Sequence, residues 1–296
     1  MALFQGVSAF PITPADADGV VDAEGVARLV RHLQDAGVGS IGLLGSTGTY
    51  VYLSRDERRR AVRAAVDAVG GRTPLLVGIG ALRTDEVQAL ARDAEAEGAD
   101  ALLLAPVSYT PLTEDEVFEH FAAVAAATRL PICVYDNPTT THFAFTAGLL
   151  DRLSDIETIK AVKSPLPSKG SITEDLAAWR ARPAGRLSVG YSGDWGMAEA
   201  LLAGADAFYS VLAGFLPRLA LAMETAASAG NRDEVSRLNT NLGPIWALFR
   251  ELGGLRVAYA AVNELGLCRA ELPRPILPVS EHHRREIAKA LAALPI

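Results

Sequence analysis

Cysteine is nearly missing: Cys133 and Cys268 are the only two in 296 residues, which rules out a disulfide framework. Cys133 lies inside an apolar, strand-like run and reads as a small core residue. No stretch reaches the roughly 20 apolar residues of a membrane-spanning helix. The opening Met1-Ala2-Leu3-Phe4-Gln5-Gly6 has no basic leader and no long apolar segment, so no signal peptide is expected. Positive charge is also in short supply. The formal net charge is −7, which leaves no electrostatic footprint for nucleic acid. Arg55, Arg58, Arg59, Arg60 and Arg63 do gather, but Asp56, Glu57 and Asp67 alternate with them at helical spacing, as on a solvated helix face. The five histidines show no H-x-x-x-H spacing, and Asp16-Ala17-Asp18-Gly19 is too short and ligand-poor for a calcium loop. A metal-dependent aldolase is therefore disfavoured. These absences leave a cytoplasmic enzyme or a binding protein for a small molecule, with no membrane and no nucleic-acid partner.

What is present is a regular alternation. Short apolar runs recur at residues 7–12, 39–44, 75–79, 101–105, 131–135, 159–163, 187–191 and 207–212. Several lack polar alternation, as parallel strands covered on both faces do. Helical patterns separate them. Residues 22–36 end at Gly37, and 54–69 start on an N-cap serine with Asp56 and Glu57 in the first turn and stop at Gly70-Gly71. Another helix opens at Thr84-Asp85-Glu86 and ends at Gly98, and Thr113-Glu114-Asp115-Glu116 is a capping-box start. Eight such units in about 215 residues predict an α/β fold of the (β/α)8 TIM-barrel class, with a doubly wound sheet as the competing architecture. Even spacing favours closure. Residues 219–229, 232–252, 255–265 and 281–294 read as helices, so a barrel over 1–215 is expected to carry a C-terminal helical extension over 216–296.

Lys163 is the residue with the most chemistry in it. It closes the run Thr158-Ile159-Lys160-Ala161-Val162-Lys163, which Ser164-Pro165 then stops. A lysine at the end of an apolar strand costs free energy unless it is used. Burial disfavours an ammonium and frees the neutral amine, which attacks carbonyl carbons to give Schiff bases. Lys160 is the rival candidate. Strand side chains alternate with period two, so residues three apart face opposite sides. With Lys163 inside the barrel, Lys160 points to the helix layer and reaches solvent.

Other motifs divide by context. Gly37-Val38-Gly39-Ser40-Ile41-Gly42 matches G-x-G-x-x-G formally, but a helix precedes it and a strand follows, the reverse of a dinucleotide site. Gly45-Ser46-Thr47-Gly48-Thr49 follows a strand at the expected C-terminal mouth, where active sites of this fold gather. Its glycines let backbone N–H groups approach a ligand, and Ser46 and Thr47 add hydroxyls suited to a carboxylate. The Gly-Lys-[Ser/Thr] ending of a Walker loop is missing, and an ordinary βα turn stays open as a reading. Tyr135 ends the fifth strand, where its hydroxyl faces the mouth as a proton relay or simply packs. The seventh and eighth strand ends, 190–194 and 209–214 (with Tyr209), carry no Lys or Arg, which disfavours a phosphorylated substrate.

Taken together, these pieces resemble the dihydrodipicolinate synthase/N-acetylneuraminate lyase family of class I aldolases over nearly the whole chain. Ala9-Phe10-Pro11-Ile12-Thr13-Pro14, with Gly19 and Asp22, is similar to its opening. Gly45-Ser46-Thr47-Gly48 resembles its pyruvate-carboxylate loop, Tyr135-Asp136-Asn137-Pro138 its Tyr-Asn-x-Pro motif, and Lys163 falls at the interval of its Schiff-base lysine. Ser192-Gly193-Asp194 followed by Gly204-Ala205-Asp206 fits its later pattern. The resemblance implies imine formation by Lys163 with pyruvate or a 2-oxo acid, carboxylate binding by Ser46, Thr47 and Gly48, proton relay by Tyr135, and a homotetramer without cofactor.

Three departures bear on the substrate. Thr140 stands where members using aspartate semialdehyde carry an arginine, so a bidentate carboxylate partner is missing. The family's second tyrosine falls on Ser108, with Tyr109 one place on as the substitute, and Thr49 replaces a glutamate. The expected catalytic set is therefore Lys163, Tyr135 and Tyr109, with Ser46, Thr47, Gly48, Thr140 and Tyr209 binding substrate. A hydroxyl-rich pocket suits a 2-keto-3-deoxy sugar acid, cleaved or formed by an aldolase. A dehydratase using the same imine, dihydrodipicolinate synthase itself, and a noncatalytic 2-oxo-acid-binding protein remain open.

Overall fold

Eight parallel strands close on themselves in sequence order in the computed structural model, which describes residues 3–295. Met1 and Ala2, part of the opening read as free of a targeting segment, lie outside the described residues. The strands are β1 (Gly6–Ala9), β2 (Ser40–Leu43), β3 (Leu75–Gly78), β4 (Ala101–Leu104), β5 (Ile132–Tyr135), β6 (Ile159–Pro165), β7 (Ser188–Ser192) and β8 (Ala207–Ser210), with β8 pairing back to β1. The doubly wound alternative is excluded by that last pairing. Among the described residues no helix is long and apolar enough to cross a membrane.

The helices form where their sequence signals lie. Ser54 accepts the Glu57 N–H at the head of Arg55–Val69, and Thr113 with Glu116 makes a reciprocal capping box ahead of Glu114–Ala125. Gly37, Gly70 and Gly98 end their helices in the left-handed conformation that a Cβ disfavours. One expectation needs correction. Residues 232–252 are two helices, Arg232–Asn241 and Gly243–Leu252, not one. Pro244 lacks an N–H and fits only the first turn of a new helix, so the chain breaks ahead of it. The helix Pro217–Ser228 packs on β1 as one more element of the barrel's outer layer, and the helices beyond it form the extension.

Alternation along the strands splits the core in two. Outward residues such as Ile41, Val77, Leu102, Val134 and Val162 pack under the helices, while Leu76, Leu103, Cys133, Tyr135, Ala161 and Tyr209 fill the barrel. Glycines at inward positions make room for rings. A Cβ on Gly42 would lie 2.3 Å from the Phe10 ring and one on Gly190 2.5 Å from Tyr209. On Gly78 it would meet the Leu44 carbonyl oxygen at 1.8 Å, so β3 is shaved to let the chain after β2 turn over it.

Gly78→Ala is therefore expected to destabilise the fold by roughly 2–4 kcal/mol, because backbone must move. Gly37→Ala, with φ +89° and open space around it, should cost only about 1 kcal/mol. Urea unfolding of the two variants reads the contrast, and equal losses would contradict it.

Candidate active site

Strand β6 delivers Lys163 to the C-terminal mouth, between Tyr135 on β5 and Gly190 on β7. Lys163 is 5% exposed, whereas Lys160 is exposed on the opposite face, as period-two alternation requires. The Lys163 amine sits over ring faces: Nζ lies 4.4 Å from the Tyr135 centroid, 5.1 Å from Phe10 and 5.6 Å from Tyr209. A positive charge at that nitrogen, ammonium or iminium, is held by the quadrupoles of these rings. Among the described residues no carboxylate lies within ion-pair distance of it.

The glycine loop forms the next wall. Leu44 and Thr49, with φ of 55° and 53°, bracket Gly45–Gly48 in left-handed conformations that non-glycine residues seldom adopt. Such strain persists only where surrounding contacts impose it, and it concentrates at binding sites. Here Thr49 is tied down: its hydroxyl donates to Tyr259 Oη at 3.2 Å, and Tyr259 donates in turn to the Thr13 carbonyl at 3.2 Å. Ser46 Oγ lies 3.2 Å from the Tyr135 hydroxyl, and Asn137 Nδ2 donates to that hydroxyl at 2.9 Å. Lys163, Tyr135, Ser46, Thr47, Asn137, Asp194 and Tyr209 line one cleft of about 240 Å³.

Through Ser46, Thr47, Val211 and Gly254 this cleft joins an outer cavity of about 790 Å³ that Tyr50, Arg58, Leu82 and Thr140 also line. Arg58 is buried there with its guanidinium 5.1 Å from the Tyr50 centroid, and donates to the Gly78 and Gly80 carbonyls at 3.3 and 3.0 Å. Desolvation brings it down to about 10, while burial raises Tyr50. Asp194, fully buried below the cleft, accepts from Ser210 Oγ at 2.5 Å and from the Val211 and Leu212 amides at 3.1 and 2.9 Å. Desolvation raises its carboxyl above the ordinary range despite these donors. It pins the turn after β8.

Residues 3–294 match the dihydrodipicolinate synthetase family. A 4-hydroxy-tetrahydrodipicolinate synthase of Alkalilimnicola ehrlichii is 35% identical, with 98% of each chain covered. The crystal structure of a dihydrodipicolinate synthase from Agrobacterium tumefaciens superposes with a TM-score of 0.96 at 55% identity, over 98% of both chains. A chloride-inhibited dihydrodipicolinate synthase from Acinetobacter baumannii, solved with pyruvate, gives 0.88 at 29% identity over 98% of this chain and 99% of that one. The chain belongs to the dihydrodipicolinate synthetase family. Its homologues there are pyruvate-dependent lyases of the class I aldolase type.

Within the family frame, the expected residues are distributed unevenly. Lys163, Tyr135, Ser46, Thr47 and Tyr209 share the inner cleft, with Gly48 buried in the loop behind. Tyr209 presents its ring, since its hydroxyl turns down the barrel to Cys133 Sγ at 3.5 Å. Burial pushes that thiol up to about 12, and Cys133 is fully buried core as expected. Thr140 reaches only the outer cavity, and its hydroxyl donates to the Asn137 carbonyl at 3.3 Å. Tyr109 stands 96% exposed on the loop after β4, away from Lys163 within the chain. Asn137, Asp194 and the Phe10 ring had no assigned role in the sequence. Their polar or aromatic character was visible, but only the closed barrel brings them to one amine.

Asp136, which does not line the cleft, has an unpartnered buried Oδ1, and desolvation pushes its carboxyl up to about 6. A carboxyl raised on folding favours the protonated form, so its contribution to stability is full below about pH 4 and is lost as pH rises through 6. Asp136→Asn is expected to stabilise the protein by on the order of 1–3 kcal/mol at pH 8 and by almost nothing at pH 4. Urea titrations at the two pH values test this; a gain independent of pH would contradict it.

Proposed function

We propose that the protein makes or breaks a carbon–carbon bond next to pyruvate or a related 2-oxo acid, through an imine on Lys163. The observation that carries this reading is a buried primary amine among ring faces, one hydroxyl pair away from a strained glycine loop. Lys163 attacks the ketone carbon, and Ser46, Thr47 and loop amides hold the carboxylate. Tyr135 moves protons as water leaves and as the enamine forms. The protonated imine takes up the electron pair released when the bond breaks. For the partner substrate, Thr140 supplies no charge to a second carboxylate, which supports a 2-keto-3-deoxy sugar acid or a neutral aldehyde. A second reading, condensation of pyruvate with aspartate semialdehyde, is favoured by the name 4-hydroxy-tetrahydrodipicolinate synthase that the Alkalilimnicola relative bears. A homotetramer fits the apolar rim at this end of the molecule, where Val51, Tyr52, Leu82 and Tyr109 are all exposed.

Borohydride reduction in the presence of pyruvate should leave a covalent adduct that peptide mapping places on Lys163 and that Lys163→Ala abolishes. An adduct on Lys160, or none with any 2-oxo acid, would overturn the assignment. Product analysis then separates the substrates: release of pyruvate from a 2-keto-3-deoxy sugar acid supports the first reading. Consumption of aspartate semialdehyde at comparable kcat/KM supports the second, and loss of water without pyruvate release marks a dehydratase. Sedimentation at micromolar concentration is expected to show a tetramer.

A further inference from the structure

We infer that Asn137 is the residue that sets Tyr135 to work, as the fixed donor that stabilises its hydroxyl oxygen when that oxygen carries negative charge. The inference deepens the imine chemistry above and rests on it.

The Asn137 amide is oriented with Oδ1 towards Thr139, whose Oγ1 donates to it at 2.8 Å, and with Nδ2 towards Tyr135 and Ser46. Nδ2 donates to Tyr135 Oη at 2.9 Å and lies 3.5 Å from Ser46 Oγ. The backbone of Asn137 is held as firmly. Its carbonyl accepts from the hydroxyls of Thr140 at 3.3 Å and Thr141 at 3.0 Å, and from their amides at 3.0 Å each. All three threonines of the run 139–141 therefore place their hydroxyls on Asn137, Thr141 sharing its own with the Phe143 carbonyl at 3.3 Å. The run clamps Asn137, while Thr140 also lines the outer cavity.

An amide donor into the phenol oxygen leaves the phenol proton to point elsewhere, towards Ser46 Oγ or the reacting atoms. The chemistry needs that arrangement. Neutral Lys163 amine and the ketone combine to a carbinolamine. When its C–O bond breaks, the Tyr135 proton goes to the departing oxygen, which leaves as water, and the nitrogen lone pair forms the C=N bond. The products are an iminium and a tyrosinate, so charge balances. The tyrosinate then takes a proton from C3 of the bound pyruvate, and that C–H electron pair moves to give the neutral enamine. In both steps Tyr135 Oη passes through an anionic state, and a charge-assisted N–H···O⁻ bond is about twice as strong as the neutral one. A donor that gains strength as charge develops speeds the step without tightening substrate binding. Asn137 is thus a positioning residue acting through Tyr135.

A double-mutant cycle tests this on the full-length protein, read by deuterium exchange at pyruvate C3 and by the rate of appearance of the borohydride-trapped adduct. Asn137→Leu should lower the maximal rate of both about 10- to 100-fold, and leave half-saturating pyruvate within about 3-fold of the unmutated value. In a Tyr135→Phe background the same substitution should change the residual rates by less than about 3-fold, because the oxygen it serves is gone. Asn137→Asp keeps the shape and guards against misfolding of the leucine variant; its ionised carboxylate has no proton to donate, so it should lose rate as well. Equal fold-losses in the two backgrounds, or a loss confined to half-saturation, would overturn the inference while leaving the Schiff-base reading intact. Absence of exchange and of adduct in the unmutated protein would instead remove that reading, and this inference with it.

Discussion

A primary amine in a packed barrel has to be surrounded by something, and here the surroundings are ring faces bought with missing side chains. Gly42 and Gly190 leave the volume that Phe10 and Tyr209 occupy, and Tyr135 completes the enclosure from the neighbouring strand. Eight-stranded closure fixes how much interior there is, and side chains must fill it at native density. The reactive end of the barrel is thus a packing solution first. Water is thinned out around Lys163 by apolar carbon, and the few polar groups that remain are aimed.

Those polar groups sit on three separate loops, each held by a different device. The loop after β2 is held in left-handed turns by Tyr259 from the C-terminal helices. The loop after β5 is held by threonine hydroxyls on the Asn137 carbonyl, and the turn after β8 by the buried carboxylate of Asp194. Of the residues that impose these restraints, only Asp194 lines the cleft with Lys163. Their combined effect is that hydroxyls from β2 and β5 meet within hydrogen-bond reach above the amine. Precision of this order is what proton transfer and imine formation require.

How much of this could be read from residue order depends on distance along the chain. Strand and helix positions were legible because apolar runs, N-caps and C-terminal glycines are local signals. The single long helix expected at 232–252 failed because periodicity was weighed above Pro244, whose missing N–H decides the break. Lys163 and its opposition to Lys160 were legible from strand parity alone. The Thr139–Thr141 run was readable as hydroxyls but not as to where they point. Their target, Asn137 (its side-chain Oδ1 for Thr139, its carbonyl for Thr140 and Thr141), is set by backbone geometry in a turn of four residues. Asp194 and Phe10 were out of reach, since their relation to Lys163 exists only once β1, β6 and β7 enclose one interior in a closed ring.

The hydrogen bonds from Thr49 to Tyr259 and from Tyr259 to Thr13 join the first loops of the barrel to a helix more than two hundred residues away. Growing on a ribosome, the nascent chain can complete its eighth strand while Thr49 still has no partner to hold it. The loop after β2 therefore gains this restraint only once the C-terminal helices have been made.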